Sequence, residues 1–170
     1  MRLYCTASNR RNGSAAVRRL LAHALDELYS IQLPEIRCTS SGKPYFPAHP
    51  HLCFSFSHTD THALCAVDTL PLGADIQTLR PIRPHTTDRV CCPEELENFD
   101  FFDIWTLKES YVKLFDAPRT NFRSVCFAGT RENIITPENS FFAKIYDDIP
   151  GCRAAVCAVS PNFPEQITIL

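Results

Sequence analysis

The same order of predicted elements occurs twice along this chain, and that repetition constrains the fold more than any other feature. Each part has a strand, a long helix and three further strands. The segments His62–Val67 (HALCAV) and Ala154–Val159 (AAVCAV) are also alike, although both could be unrelated core strands of small residues. We therefore predict an α+β protein with two pseudo-symmetric halves, 1–70 and 71–170. Each half is expected to be a small, mostly antiparallel sheet packed on one long helix, and together they form one compact unit with a ligand cleft between them.

Two stretches have the spacing of long amphipathic helices. The first follows Ser14, a favourable N-cap residue, and Pro34 lies soon after its end. Its apolar positions recur at helical spacing, namely Val17, Leu20, Leu21, Ala24, Leu25 and Leu28. The second is predicted over Phe101–Phe115. A short helix is predicted from Cys92, because Pro93 suits a first helical turn.

The other apolar or alternating segments are predicted to be strands. Leu52–Ser57 and His62–Val67 flank a short turn and therefore indicate a hairpin. Arg80–Pro84 contains two prolines and is predicted to be a stiff loop. The remaining predicted strands are Arg2–Ala7, Glu35–Cys38, Leu72–Gln77, Phe122–Ala128, Phe141–Tyr146, Arg153–Val159 and Gln166–Leu170.

The composition favours a cytoplasmic globular protein. Among 170 residues, 45% are apolar and 21% charged, and no apolar run approaches the roughly 20 residues of a membrane span. The segment Met1–Ser8 is too short and polar for a secretory signal, and the net charge of −2 gives no general attraction for nucleic acid. Of nine cysteines, the adjacent Cys91 and Cys92 cannot easily share a disulfide, and most are predicted to be reduced and buried.

Two carboxylates stand in positions that suit a divalent metal. Asp75 lies in a short apolar strand with Gln77 on the same face, and a buried strand rarely carries Asp unless it is paired or binds a metal. Glu109 lies on the second long helix, about 100° around it from Lys108. Together the two acids could give Mg²⁺ two oxygens. The alternative is that Glu109 is a solvated helix charge that pairs with Lys113 at the surface.

A second set of residues suits a phosphate group. Lys43 is presented by a tight turn between Gly42 and Pro44, and Ser57 and His58 end a predicted strand. An ammonium, a hydroxyl and an imidazole can together bind a phosphate. Arginines add positive charge nearby, namely Arg10, Arg11, Arg80 and Arg83. The alternative is an ordinary loop lysine and a histidine that caps a hairpin.

Several other chemistries are disfavoured by spacing. His85, Cys91 and Cys92 lack the arrangement of a structural zinc site. Ser57 and His58 are adjacent and so face apart on a strand, and there is no Gly-x-Ser-x-Gly turn for a serine hydrolase. A glycine-rich phosphate loop is also missing from the sequence.

Four short segments, in this order, resemble the signature of the 4′-phosphopantetheinyl transferases of the monomeric, surfactin-synthetase-activating type. They are Gly42–Pro44, Phe56–His58, Gly73–Gln77 and Trp105–Lys113, and the resemblance is clear over about residues 40 to 115. It implies coenzyme A and Mg²⁺, with Mn²⁺ as the alternative ion, at the interface of the two halves. It also implies transfer of phosphopantetheine to a serine of an apo acyl or peptidyl carrier protein, with release of 3′,5′-ADP by a monomeric enzyme.

The resemblance also implies roles for individual residues. Asp75 and Glu109 match the metal-binding acids, and Glu109, or a water held by it and the metal, is the candidate general base. Lys113 matches a pyrophosphate contact. The residues expected to contact the coenzyme are Lys43, Ser57, His58 and Lys113, with Arg10 or Arg11 near the adenosine end. The N-terminal half would thus contact the coenzyme phosphates, and the C-terminal half would hold the metal.

Two departures from the family pattern motivate alternatives. Gln77 stands where the family usually has Glu, so its part in the metal site is doubtful, and the chain is short at its N-terminus. They motivate the alternative of a catalytically weak relative that binds coenzyme A or a carrier protein without efficient transfer. A metal-dependent phosphohydrolase is a separate alternative. Carrier docking is expected on the region from Pro84 to Phe102 in the C-terminal half, with Arg83 and Arg89 attracting an acidic carrier.

Overall fold

The first helix and the strands around it form one half of the fold in the computed structural model, which describes residues 1–83 and 85–170. Helix α1 buries the predicted apolar stripe, with Leu28 only partly covered. The elements, in chain order, are β1 (Arg2–Ala7), α1 (Gly13–Tyr29), β2 (Arg37–Cys38), β3 (Pro44–Tyr45), β4 (Cys53–His58) and β5 (His62–Asp68).

The second half is built around the other long helix. Its elements are β6 (Leu72–Thr78), α2 (Thr86–Val90), α3 (Phe101–Phe115), β7 (Ala128–Thr130), β8 (Asn133–Ile135), β9 (Phe142–Tyr146), β10 (Cys152–Ala158) and β11 (Thr168–Ile169). A short 3₁₀ helix, Pro93–Glu97, precedes α3 at the position where a short helix was predicted. The bounds of α3 are those predicted from the sequence.

Two sheets face each other between the two long helices. The first has the strand order β11-β1-β5-β4 and packs on α1, and the second has the order β6-β10-β9 and packs on α3. All pairings are antiparallel except β1 with β11. The predicted α+β class, with a small sheet on each long helix, is confirmed. The division at residue 70 stays a prediction, and β11 belongs by its hydrogen bonds to the first sheet.

The core between the sheets is made of small and branched side chains. The first sheet contributes Leu3, Cys5, Leu64 and Ala66, and the second contributes Leu72, Ala74, Ile76, Ala154, Val156 and Ala158. Because side chains alternate along a strand, the intervening residues of β6 face α3 instead. Those residues are Gly73, Asp75 and Gln77, so the strand acid points toward the helix that carries Glu109.

Several predicted boundaries are wrong. Helix α1 begins at Gly13 after Asn12, so Ser14 lies inside its first turn and is not its N-cap. The strand predicted over Glu35–Cys38 is only Arg37–Cys38. The strand predicted over Phe122–Ala128 begins as the 3₁₀ helix Phe122–Ser124, and only Ala128 belongs to a strand. Within the predicted Arg80–Pro84 loop, Pro84 lies outside the described residues.

The cysteine prediction holds in part. Five free cysteines are buried, as expected, namely Cys5, Cys65, Cys91, Cys152 and Cys157. Cys92 and Cys126, however, form a disulfide across 34 residues of sequence. Spacing along the chain did not show this pair, because folding brings Cys126 against the start of the 3₁₀ helix.

The close approach of β6 to α3 depends on Gly73. A Cβ atom at this position would overlap the backbone of α3 at Ser110 and Leu114. We expect Gly73→Ala to lower the free energy of unfolding by about 3 kcal/mol, since backbone atoms cannot move aside as a side chain can. Urea denaturation would measure the change. Gly151→Asn is the matched control, because a Cβ there has open space and Asn tolerates its φ of 72°; an equal loss in both variants would contradict the prediction.

Candidate active site

The carboxylate of Asp75 is buried in the middle of β6, and both of its oxygens accept hydrogen bonds. Only 2% of the residue is exposed. Oδ1 accepts hydrogen bonds from Oγ of Ser57 at 2.7 Å and from Nζ of Lys113 at 2.6 Å. Oδ2 accepts one from Nε2 of Gln77 at 2.9 Å. The acid is thus held between both sheets and α3, which satisfies the requirement that a buried charge be paired.

Lys113 and Glu109 come to this point from successive turns of α3. Lys113 also donates to the carbonyl of Ala74 at 3.0 Å, so its ammonium is fixed on β6. The alternative in which Lys113 pairs with Glu109 at the surface is wrong, because its ion pair is with Asp75. Burial and the nearby charge of Asp75 raise the pKa of Glu109, while Lys113 acts in the opposite direction. Lys113 is therefore paired with Asp75, and its charge also acts on Glu109.

The adjacent Lys108 has a different role from Glu109. Its ammonium is fully buried and bonds to Oε2 of Glu95 at 2.7 Å and to the carbonyls of Val90 and Phe122 at 2.8 and 2.9 Å. Glu95 in turn accepts hydrogen bonds from the backbone N–H groups of Cys92 and Phe127. Sequence reasoning placed Lys108 away from Glu109 but missed this network, whose only signal was a carboxylate on the predicted short helix.

The start of α3 is fixed by ionic contacts. Asp100 and Asp103 form a reciprocal capping box, in which each side chain accepts from the other residue's backbone N–H. Arg153 on β10 pairs with both acids, at 2.9 Å and 2.7 Å. The helix that carries Glu109 and Lys113 is therefore anchored at its N-terminal end to the second sheet.

The turn that carries Lys43 is attached to the other end of α3. Nζ of Lys43 donates to the carbonyl of Leu114 at 2.8 Å, and Oγ1 of Thr39 donates to Asp116 at 2.9 Å. Burial lowers the pKa of Lys43, although the charge of Asp116 opposes this. A cavity of about 330 Å³ opens beside the turn, and its lining includes Lys43, Phe56, Glu109 and Lys113.

Ser57 and His58 face different surroundings. Ser57 is bonded to Asp75, whereas the His58 ring lies against the start of α1, where it occupies the space that a Cβ on Gly13 would need. A cavity of about 220 Å³ next to the imidazole is lined by His58, Thr59, Asp60, Gln77, Thr78 and Arg80. His58 and Lys43 therefore line different cavities.

The two N-terminal arginines are at the periphery of the site. Arg10 is exposed and lies 3.9 Å from Asp60, which lines the cavity beside His58. Arg11 is exposed and lines none of the cavities described in this section. The structure therefore brings Arg10 near the candidate site through Asp60 and leaves Arg11 apart from it.

A third cavity lies beside Gln77, which is hydrogen-bonded to Asp75. Its volume is about 430 Å³, and it is lined by Gln77, Arg80, Pro81, Ile82, Arg83, Thr86, Phe101, Phe102 and Trp105. It covers part of the surface expected to dock a carrier protein, including Arg83 and Phe102. Arg89 is exposed and does not line it, and Pro84 lies outside the described residues.

Asp75 and Glu109 are the residues that could hold a magnesium ion together with phosphate oxygens of a substrate. Within residues 1–83 and 85–170, no group of three His, Cys, Asp or Glu side chains could hold a metal. Magnesium, however, usually takes only one or two protein carboxylates, and substrate phosphates and water complete the octahedron. Asp75 and Glu109 supply that number, and their two negative charges exceed the single positive charge of Lys113.

The fold is a pair of sheets between two long helices, and paired acids and lysines of β6, α3 and the Lys43 turn lie near one cavity. A family model described as the 4′-phosphopantetheinyl transferase superfamily matches residues 71–152. The chain is 30% identical to the 4′-phosphopantetheinyl transferase ffp of Bacillus subtilis, over 89% of this chain and 75% of the relative. It is 27% identical to the transferase Sfp of Bacillus subtilis strain 168 over the same shares, and 35% identical to AcpT of Escherichia coli K12 over 61% of this chain and 57% of that protein.

The chain therefore belongs to the 4′-phosphopantetheinyl transferase superfamily, in its Sfp type. The resemblance seen in the four short sequence segments is confirmed, and the protein is a transferase of this family. No helix in the described part of the chain is long and apolar enough to cross a membrane.

Proposed function

We propose that this protein transfers the 4′-phosphopantetheine arm of coenzyme A to a serine of an apo acyl or peptidyl carrier protein, with Mg²⁺ and with release of 3′,5′-ADP. It is proposed to act as a cytoplasmic monomer. The observation that carries the proposal is that Lys113, which is bonded to Asp75, lines one cavity together with Glu109 and Lys43. Acids that suit a metal and cations that suit phosphates are thus side by side.

The residues suggest how the transfer is performed. The serine hydroxyl of the carrier loses its proton to Glu109, or to a water that Glu109 holds, and its oxygen bonds to the β-phosphorus of coenzyme A. The bond from that phosphorus to the 3′,5′-ADP oxygen breaks at the same centre. Asp75 and Glu109 would hold Mg²⁺, which would supply positive charge to offset the charge of the diphosphate. The raised pKa of Glu109 suits a proton acceptor, because a more basic carboxylate takes a proton more readily.

Lys113 and Lys43 are the candidate diphosphate contacts. The ammonium of Lys113 is fixed beside Asp75, where it can balance the negative charge that grows on the departing 3′,5′-ADP. Lys43 lines the same cavity and is held against the end of α3. Ser57 is proposed to orient Asp75, and His58 with Arg80 is proposed to contact more distant coenzyme phosphates.

The direct test is incubation of the protein with coenzyme A, Mg²⁺ and an apo carrier protein, followed by mass spectrometry of the carrier. The expected result is a mass gain of one phosphopantetheine on the acceptor serine, and 3′,5′-ADP in equal amount. A carrier with its acceptor serine changed to alanine is the control. Release of phosphate from coenzyme A without any change in the carrier would instead indicate a phosphohydrolase.

The third cavity is the proposed docking surface for the carrier. It combines the aromatic residues Phe101, Phe102 and Trp105 with Arg80 and Arg83, and Gln77 connects it to the metal acids. Apolar contacts would bind the carrier, and the arginines would attract an acidic helix. The acceptor serine would then approach Glu109 from the side opposite Lys43.

Arg83→Glu should raise KM for the carrier by about tenfold at low salt and leave KM for coenzyme A unchanged, because the reversed charge repels an acidic partner. Steady-state transfer rates at several carrier concentrations would measure this. Arg18→Glu, an equal charge reversal on the exposed face of α1, is the matched control. Equal effects of the two substitutions would show that the net charge matters and the cavity does not.

The second candidate is a relative that binds coenzyme A or a carrier with little transfer. One observation favours it, namely that Gln77 brings no charge to the metal site and donates its amide to Asp75. The transfer assay separates the two candidates, because a weak relative would bind coenzyme A in calorimetry and leave the carrier unmodified.

A further inference from the structure

Gln77 and Asp75 are joined by a hydrogen bond along the same face of β6. Nε2 of Gln77 donates to Oδ2 of Asp75 at 2.9 Å, and the other carboxylate oxygen is taken by Ser57 and Lys113. The amide oxygen and nitrogen of Gln77 lie on opposite sides of the group. Because Nε2 of Gln77 faces Asp75, the amide oxygen of Gln77 does not face the Asp75 carboxylate.

We infer that Gln77 is a positioning residue that orients the Asp75 carboxylate, and that its neutral amide makes cation binding by Asp75 and Glu109 depend on the substrate diphosphate. This inference rests on the proposed function, because it concerns the same metal and the same substrate. It adds that binding of the metal depends on the diphosphate. It also gives a specific role to Gln77, which departs from the family pattern.

The charges around the site support this dependence. With Glu109 ionised, the two acids and Lys113 sum to one negative charge, and Lys43 adds a further cation to the adjoining cavity. A divalent ion alone would meet too little negative charge and only two carboxylates. A diphosphate adds both charge and oxygen ligands, so the ion should bind more tightly once the diphosphate is present. Thermodynamic linkage then requires that the ion increase the affinity for the diphosphate by the same factor.

The position of Gln77 between two cavities explains why an amide matters here. Its side chain lines the cavity beside His58 and also the cavity beside Trp105, so it separates the coenzyme side from the carrier side. A carboxylate at this position would add a negative charge to both cavities. The amide avoids that repulsion and still fixes Asp75 through its N–H.

The test measures Mn²⁺ binding by electron paramagnetic resonance of the free ion, with and without ADP as the diphosphate probe. In the wild-type protein, ADP should tighten Mn²⁺ binding by about tenfold or more. In Gln77→Glu, Mn²⁺ alone should bind about tenfold more tightly, because a second carboxylate lies next to Asp75, and the effect of ADP should shrink. Gln32→Glu, the same substitution at an exposed position that lines none of the three cavities, is the control and should match the wild type.

A spectroscopic measurement tests the positioning role separately. The side-chain amide resonance of Gln77 in a ¹⁵N-labelled protein should keep its hydrogen-bonded shift and slow solvent exchange when Mg²⁺ and ADP are added. Loss of that protection on addition would show that the amide leaves Asp75, and would overturn the positioning role. An effect of ADP below twofold in the wild type, or an unchanged Mn²⁺ affinity in Gln77→Glu, would overturn the dependence on diphosphate.

Asp75→Asn distinguishes a failure of this inference from a failure of the proposed function. Loss of Mn²⁺ binding with ADP in that variant, together with no effect of Gln77→Glu, would reject the role of Gln77 alone. If Asp75→Asn binds Mn²⁺ and ADP as the wild type does, the metal site is elsewhere and both are wrong.

Discussion

Glu109→Ala should lower the rate of phosphopantetheine transfer by at least about 10³-fold, because one substitution removes both a metal ligand and the candidate proton acceptor. The residue is half-buried on α3, and its pKa is already raised by burial and by Asp75. Removing this charge takes away no core contact and relieves a repulsion. The measurement is the initial rate of carrier modification with saturating coenzyme A and Mg²⁺.

The fold of that variant should remain intact. Its thermal unfolding midpoint is expected to match or exceed that of the wild type, which circular dichroism would show. Glu132→Ala, an exposed acid in the turn between β7 and β8, is the matched control and should keep full activity. Transfer by Glu109→Ala at a near-normal rate would remove Glu109 from the mechanism.

Lys108→Met should lower the free energy of unfolding by about 3–5 kcal/mol, although Lys108 is the sequence neighbour of the proposed catalytic acid. Both the Lys108 and Glu95 side chains have 0% exposure, so the substitution would leave a carboxylate charge buried without its partner. Urea denaturation of the wild type and the variant would give the difference. Both proteins should be compared in the same redox state, because the Cys92–Cys126 disulfide lies beside this pair.

The double variant Lys108→Met/Glu95→Gln tests the cause of that loss. Glutamine keeps an acceptor oxygen for the backbone N–H groups of Cys92 and Phe127 but carries no charge. We therefore expect the double variant to recover part of the stability lost in Lys108→Met. If it is less stable than the single variant, an unpaired charge is not the reason for the loss.

Helical periodicity predicted the two long helices well because their apolar stripes are regular. Phe101–Phe115 was given with its observed bounds, and the stripe from Val17 to Leu25 is buried as expected. The start of α1 was wrong because Asn12 and Ser14 are both good N-cap residues, and only the backbone decides between them. The strand predicted over Phe122–Ala128 was wrong because the apolar residues of this segment pack against α3 without strand pairing.

The candidate site was predicted less completely than the helices. The strand position of Asp75 and the helix position of Glu109 could be taken from spacing, since both periods are fixed by backbone geometry. The hydrogen-bond partners of Asp75 could not be predicted, because they come from distant segments. Ser57 is 18 residues from Asp75 along the chain, and Lys113 is 38. The Glu95–Lys108 pair was missed for a different reason, because a charged helix residue is normally solvated and not buried.

The hydrogen bond from Lys43 to the carbonyl of Leu114 affects the entropic cost of binding an anion. A long, flexible side chain loses rotamer freedom when it meets a ligand, at a cost of about 0.5–1.5 kcal/mol per immobilised chain. In this protein the folded scaffold has already restrained that chain. An incoming phosphate would thus encounter a preorganised ammonium, and most of the entropic penalty would be absent from the association step.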